Sequence, residues 1–272
     1  GADRTAATGV IVGKDGNGNN VNGEWVHTVD ATKGDMYTIT WKLPRDLKTG
    51  ETYTVSYQGQ AKFTQEDFDN AEEKDQITVW NQVEVMDPIG VPIKRPYAIE
   101  KVIVEQNDEK NLNKDNTPLY AGDVVTYTIT LRNRSIVAVT GDPTDELPVP
   151  LTADFTWQKD VNVKVLGAVA NHTDGTAQTT LDVSGWTIEG NTLVFPRVTI
   201  PKARRAGGSG TGTLEADGNV VYTVQLTYPD YTTFYDTMGE PGSTVVNGAY
   251  FVEQNKRFTM RDQASHTITK LE

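Results

Sequence analysis

The chain has 272 residues and a formal net charge of −12 at pH 7, which argues against the basic face that binding to nucleic acid requires. It has no Cys and only three scattered histidines, His27, His172 and His266, which excludes disulfides, thiol catalysis and Cys-based metal sites and leaves no His-rich metal centre. The hydrophobic fraction of 37% can fill sandwich cores, where each sheet buries one face, and no apolar run of about 18 residues marks a membrane span.

In chain order, residues 13–24 read GKDGNGNNVNGE. Asp15, Asn17 and Asn19 have the spacing of a calcium loop, but Asn20 stands where the loop needs Gly and Val26 where it needs Glu, so a Gly/Asn hairpin loop is the simpler reading. Residues 37–41 (YTITW) and 52–57 (TYTVSY) alternate as half-buried strands around a polar turn at 44–50. A short helix is expected over 64–74, with Thr64 as N-cap and acids in the first turn. The run ITVWNQVEV over 77–85 is a strand, DPIG at 87–90 a turn, and PIKRP at 92–96 a semi-rigid extended joint. A strand follows from residue 97, then a polar loop over 107–117. The cleanest strand is GDVVTYTITL over 122–131, with Val125, Tyr127, Ile129 and Leu131 on one face. TDELP over 144–148 closes the next segment. Further strands are expected around 161–169, 192–200, 220–228, 244–253 and 266–270, with a Gly-rich hairpin tip over 204–218.

An internal repeat relates the two halves. TITWKLP, ETYTV and ITVWNQVEV in the first are matched in order by VTIP, VYTV and STVVNGAYF in the second. Repetition at this scale means tandem modules. The chain is therefore expected to be all-β, with two tandem immunoglobulin-like sandwiches: residues 1–97, a short or truncated module, and 98–272, a complete one. Gly1-Ala2 and Leu271-Glu272 read as cloning remnants, so an excerpt of a longer protein is expected.

The GDVVTYTITLRN strand, the DELP element at 145–148 and the closing Asn247-Gly248-Ala249 together resemble the immunoglobulin-like repeat modules of Gram-positive surface adhesins and pilins with intramolecular Lys-Asn isopeptide bonds. The resemblance covers most of residues 98–272, and its closing half covers 35–86. It implies a cross-link between Lys101 and Asn247, with Asp145 as catalytic proton shuttle and Glu146 and Asp123 as reserve acids. Asn247-Gly248 between hydrophobic runs also fits a type I′ hairpin turn. The matching Asn81 of the first module has no corresponding Lys, so no bond is expected there.

The chemistry suits these residue types. A Lys amine attacks only when neutral, and burial lowers its pKa; the same burial raises that of a carboxyl, which can then hold a proton. The protonated acid polarises the Asn carbonyl and passes the amine proton to departing ammonia. The protein would be its own substrate in a single turnover, so no enzyme activity and no cofactor are expected. The cross-link would close a loop of about 146 residues, worth about 5 kcal/mol by the entropy treatment used for disulfides.

The role implied is a structural stalk or shaft segment of an extracellular, cell-wall-anchored protein, its anchor outside this stretch. Its partners would be neighbouring modules of the same polypeptide. The alternative is an adhesin module that recognises host glycan or matrix protein through the aromatic loop YPDYTTFY, with Tyr228, Tyr231, Phe234 and Tyr235 as contact candidates. The five tryptophans read as core packing. No G-x-S-x-G, P-loop or H-E-x-x-H is present. The sequons at Asn133 and Asn171 carry little weight in a bacterial protein.

Overall fold

The computed structural model describes residues 63–71, 76–81, 87–110, 115–208, 212–255 and 259–270, the backbone of two strands within 26–42, and a few isolated positions. Asp15 and the strand expected over 52–57 lie outside the described residues. By compactness the chain divides into two units, Gly1–Thr64 and Gln65–Glu272. Residues 65–97, grouped with the first module on sequence grounds, thus belong to the later unit. In the earlier unit, β1 (Val26–Lys33) and β2 (Met36–Lys42) form an antiparallel hairpin, Val26 opposite Lys42, with a bulge between Asp30 and Lys33.

The later unit opens with the short helix α1 (Gln65–Asp69) and an antiparallel ribbon of β3 (Gln76–Asn81) and β4 (Ile89–Lys94). The PIKRP stretch therefore enters a ribbon: Pro92, which cannot donate to a ladder, sits on β4 opposite Thr78. Arg95 ties the helix to a distant part of the same unit. Its buried guanidinium pairs with Asp69 at 3.0 Å, lies over the Phe68 ring at 5.4 Å and contacts the Met260 sulfur at 3.9 Å.

The remaining strands are β5 (Tyr97–Gln106), β6 (Glu109–Lys110), β7 (Thr117–Leu119), β8 (Val124–Asn133), β9 (Val139–Glu146), β10 (Val163–Asn171), β11 (Thr179–Thr180), β12 (Thr187–Glu189), β13 (Thr192–Val194), β14 (Val198–Ile200), β15 (Arg204–Arg205), β16 (Leu214–Ala216) and β17 (Gly218–Thr227). A second short helix, α2 (Phe234–Met238), precedes β18 (Thr244–Glu253) and β19 (Thr259–Ile268). One sheet runs in the order β11-β10-β17-β8-β5-β6. The other runs β12-β13-β9-β18-β19-β7, with β14 also on β9. Neighbours are antiparallel except β7 and β19, which are parallel. The pair β15 and β16 forms a separate hairpin, as expected for the Gly-rich tip.

Period-two alternation builds the core between the sheets. Val125, Tyr127, Ile129 and Leu131 of β8 are all 1% exposed or less, as are Val220, Tyr222, Val224 and Leu226 of the adjacent β17. From the facing sheet come Val245, Ala249 and Phe251 of β18 and Met260, Ala264 and Ile268 of β19. Each such Val, Leu, Ile, Phe or Met side chain contributes about 2 kcal/mol of transfer free energy. The all-β class expected from the sequence is the class observed. Besides the ribbon formed where a joint was expected, three elements differ in extent from expectation. The helix spans five residues. The strand expected over 192–200 is two strands, with Pro196 in the gap, where it has no N–H to give to β9. The last strand starts at Thr259, well before residue 266.

The Gly122-Asp123 pair is explained by the loops it closes. Gly122 takes φ +78°, and the buried Asp123 carboxylate accepts from Gln106 Nε2 at 2.6 Å, Asn107 Nδ2 at 2.5 Å and the Tyr120 N–H at 2.8 Å. Gly141 of β9 is needed for space: a Cβ there would sit 2.5 Å from the Phe251 ring and 2.5 Å from the Val252 carbonyl. Gly141→Ala is therefore expected to cost about 1–3 kcal/mol by overpacking, read as a lower denaturation midpoint in urea with an unchanged slope.

Candidate functional site

Three polar side chains stand in inward positions of the apolar core. On β5, Lys101 falls in register with the buried Ile103; on β9, Asp145 follows the buried Val139, Gly141 and Pro143; on β18, Asn247 lies between Val245 and Ala249. All three are 0% exposed. Alternation alone dictates this, because moving any one of them to the surface would turn its strand's apolar face outward.

Lys101 and Asp145 come from opposite sheets and meet: Nζ donates to Oδ1 in a buried ion pair. The β5 backbone is held there by a hydrogen bond from the Lys101 N–H to Asp262 Oδ2 of β19, at 2.8 Å. Asp145 lies directly opposite Ala249, so Asn247 sits one inward position along the neighbouring strand. Asn247-Gly248 is therefore mid-strand, in register with Ala264 and Gln263, and not the two-residue turn its composition also fits. Asp145 Oδ2 and both polar atoms of the Asn247 carboxamide have no hydrogen-bond partner. Buried polar groups left in this way cost about 1–3 kcal/mol each.

Burial dominates the electrostatics. It pulls the Lys101 amine below the ordinary lysine range, and the attraction of Asp145 only partly offsets it. It pushes the Asp145 carboxyl above the ordinary carboxylate range, against the pull of Lys101. Both shifts favour a neutral amine beside a protonated acid. The wall of the site is Tyr127, whose ring centre is 4.9 Å from Lys101 Nζ. Its hydroxyl lies 2.7 Å from His266 Nε2 and 3.0 Å from the Tyr228 hydroxyl.

The reserve acids fall elsewhere. Glu146 is exposed, and Asp123 is occupied by its three donors at the end of the sandwich. Asn81, matched to Asn247 by the repeat, is exposed at the end of β3. Two of the aromatic contact candidates require correction. Tyr228 and Phe234 are 2% and 0% exposed, because the loop folds its alternate aromatics into the core, so neither can touch a ligand; Tyr231 is 63% exposed and Tyr235 half-buried beside it. Asn133 of the first sequon is also buried, its amide donating to the carbonyls of Val137 and Pro201. Trp157 and Trp186 are buried as core residues, whereas Trp80 is exposed. Sequence reasoning missed the site role of Tyr127 and His266. Tyr127 was placed on the inward face of its strand, but the pairing of its hydroxyl with a histidine 139 positions away has no sequence signal.

Among the described residues, no group of His, Asp and Glu is arranged to hold a metal ion, and no helix is long and apolar enough to cross a membrane. No family model and no curated protein sequence matches the chain. Solved structures similar to it include the pilus backbone RrgB from Streptococcus pneumoniae, 15% identical with a TM-score of 0.34 over 58% of this chain and 31% of that one. The full-length major pilin RrgB from the same organism is 14% identical with a TM-score of 0.35, over 93% of this chain and 42% of that one. The sporulation control protein Spo0M from Bacillus subtilis is 9% identical with a TM-score of 0.32, over 65% and 51%. The chain spans less than two thirds of each of these, and likeness at this level decides nothing about function.

Burial also lowers the His266 pKa to about 4. Between that value and the unfolded value near 6.5, the unfolded chain binds a proton that the native one refuses, so His266 makes the protein less stable as pH falls through this window. The full effect is about 3 kcal/mol. Asp145 acts in the opposite direction, since its raised pKa favours the native state as pH falls, but it is common to both proteins in a comparison. Denaturation midpoints at pH 7 and pH 4.5 are expected to drop further in the wild type than in His266→Gln.

Proposed function

We propose that Lys101 and Asn247 form a self-made isopeptide cross-link with Asp145 as proton shuttle, and that the chain is a structural stalk or shaft segment of a Gram-positive surface adhesin or pilus-like protein. The observation that carries this is the buried Lys101–Asp145 pair beside a carboxamide with no partner. The neutral Lys101 amine attacks Asn247 Cγ while protonated Asp145 holds the carbonyl oxygen. One amine proton passes through Asp145 to Nδ2, the C–N bond breaks, ammonia leaves, and a secondary amide joins the two side chains. The protein acts once, on itself, and is not an enzyme.

The position of the bond suits a load-bearing part. The chain enters β5 at one end of the sandwich and leaves β19 at the other, as the pairing order requires. A bond from β5 to β18 clamps the first long strand of one sheet to an inner strand of the other, so tension along the chain meets a covalent link before the sheets separate. Such a link resists reduction, which fits an extracellular protein without Cys. Neighbouring modules of the same polypeptide are its partners in this reading. The intact mass of the denatured protein should be lower than the sequence mass by one ammonia, and Lys101→Ala or Asn247→Ala should each restore the full mass. A wild-type protein at full mass would refute the cross-link.

A second reading rests on one observation, the exposed Tyr231 packed edge-on against Tyr235 at 6.0 Å. An exposed ring braced by a half-buried one suits contact with a host glycan or matrix protein. If this is a binding module, a glycan array and a matrix-protein screen give reproducible binding that Tyr231→Ala abolishes; no binding in either screen discards it.

A further inference from the structure

We propose that Tyr127 is a positioning residue for the cross-linking reaction: its hydroxyl oxygen accepts from the Asn247 amide nitrogen and so turns the carbonyl toward Asp145. The proposal rests on the cross-link reading above. A carboxamide has nearly the same shape in its two flipped orientations, but only one is reactive. With the oxygen toward Asp145, the protonated acid polarises the carbonyl. With the nitrogen there, the acid faces a poor acceptor and Lys101 attacks an unpolarised amide.

What decides the orientation is the direction of the hydrogen bonds around Tyr127. Asn247 lies beside the Tyr127 hydroxyl, although the contact falls short of a hydrogen bond. His266 is 0% exposed and its Nδ1 side turns toward the backbone of Thr117, in contact too loose for a full bond. A proton on Nδ1 faces that carbonyl and leaves Nε2 as an acceptor. The Tyr127 O–H must then donate to Nε2, at 2.7 Å. With its only proton committed, Tyr127 can only accept from other neighbours. Tyr228, 2% exposed, donates to it at 3.0 Å. One lone pair remains, open to a donor and closed to a carbonyl. Of the two ends of the Asn247 carboxamide, that lone pair can take only the nitrogen. The same nitrogen departs as ammonia, so Tyr127 holds the leaving group as its bond to Cγ breaks.

The chain from Tyr228 through Tyr127 to His266 thus acts as a one-way device. Removing the Nε2 acceptor frees the Tyr127 proton, which can then be donated to the Asn247 carbonyl and favour the unreactive orientation. Tyr127→Phe removes the acceptor altogether. His266→Met fills the space with only a weak sulfur acceptor, and His266→Gln offers Oε1 in its place.

The test follows ammonia loss by intact mass during cell-free synthesis of the full chain, with samples quenched in acid at short intervals. Tyr127→Phe is expected to slow the mass change at least about ten-fold relative to wild type, since a misplaced reacting group costs up to about a hundred-fold. His266→Met is expected to slow it similarly, and His266→Gln to recover most of the rate lost in His266→Met. Thermal unfolding of the same substitutions in a Lys101→Met background, where no bond can form, controls for folding. Loss of ammonia from a folded Tyr127→Phe at the wild-type rate overturns the proposal. So does equal slowing in His266→Met and His266→Gln, which a mere packing role would give. A wild-type chain that never loses ammonia overturns the cross-link itself, a result distinct from either.

Discussion

The pairing of Lys101 with Asp145, both without solvent exposure, is the constraint around which the sandwich is arranged. Taking two such ions out of water costs several kcal/mol each, and their attraction repays it only with good geometry and further hydrogen bonds. Here one carboxylate oxygen and the nearby carboxamide have no such bonds. An exposed pair such as Arg197 with Asp142, at 2.8 Å, carries no such cost and is worth at most about 1 kcal/mol. As a source of stability the buried pair is a poor arrangement; as a reactive one it is coherent, because the core that makes it costly also drives amine and acid toward their neutral forms.

That core comes from elements with no polar task of their own. Tyr127, Ile129 and Leu131 on β8 and Ala249 and Phe251 on β18 close the space between the sheets. Their packing density keeps the three polar groups dry and holds them in one arrangement. Gly141, two inward positions before Asp145 on β9, lets the Phe251 ring approach that strand.

Two buried carboxylates of the same unit show how environment assigns a role. Asp123 accepts three hydrogen bonds from the loops it joins and is a structural clasp. Asp145 faces a single cationic donor and keeps one oxygen unpaired. In the sequence Asp123 stands between Gly122 and Val124 and Asp145 between Thr144 and Glu146, and neither setting announces its role. The difference lies in what the opposite sheet brings to them.

The sequence by itself determined what depends on neighbours along the chain. Alternation marked β8, β17 and β18 and the inward faces they share, and Gly and Pro marked most of the turns, because side-chain direction in a strand is set every second residue. It also carried the motif that singled out Lys101, Asp145 and Asn247. Only the tertiary structure decided what depends on contacts between distant strands. It joined residues 65–97 to the later unit, through the grip of Arg95 on Asp69 and Met260. It turned Tyr228 and Phe234 inward while leaving Tyr231 outside. It set Lys101 against Asp145 across two sheets, and Tyr127 against His266. Those pairings rest on sheet order and register, which local patterns leave open, since an inward position says that a side chain is buried but not which strand it will meet.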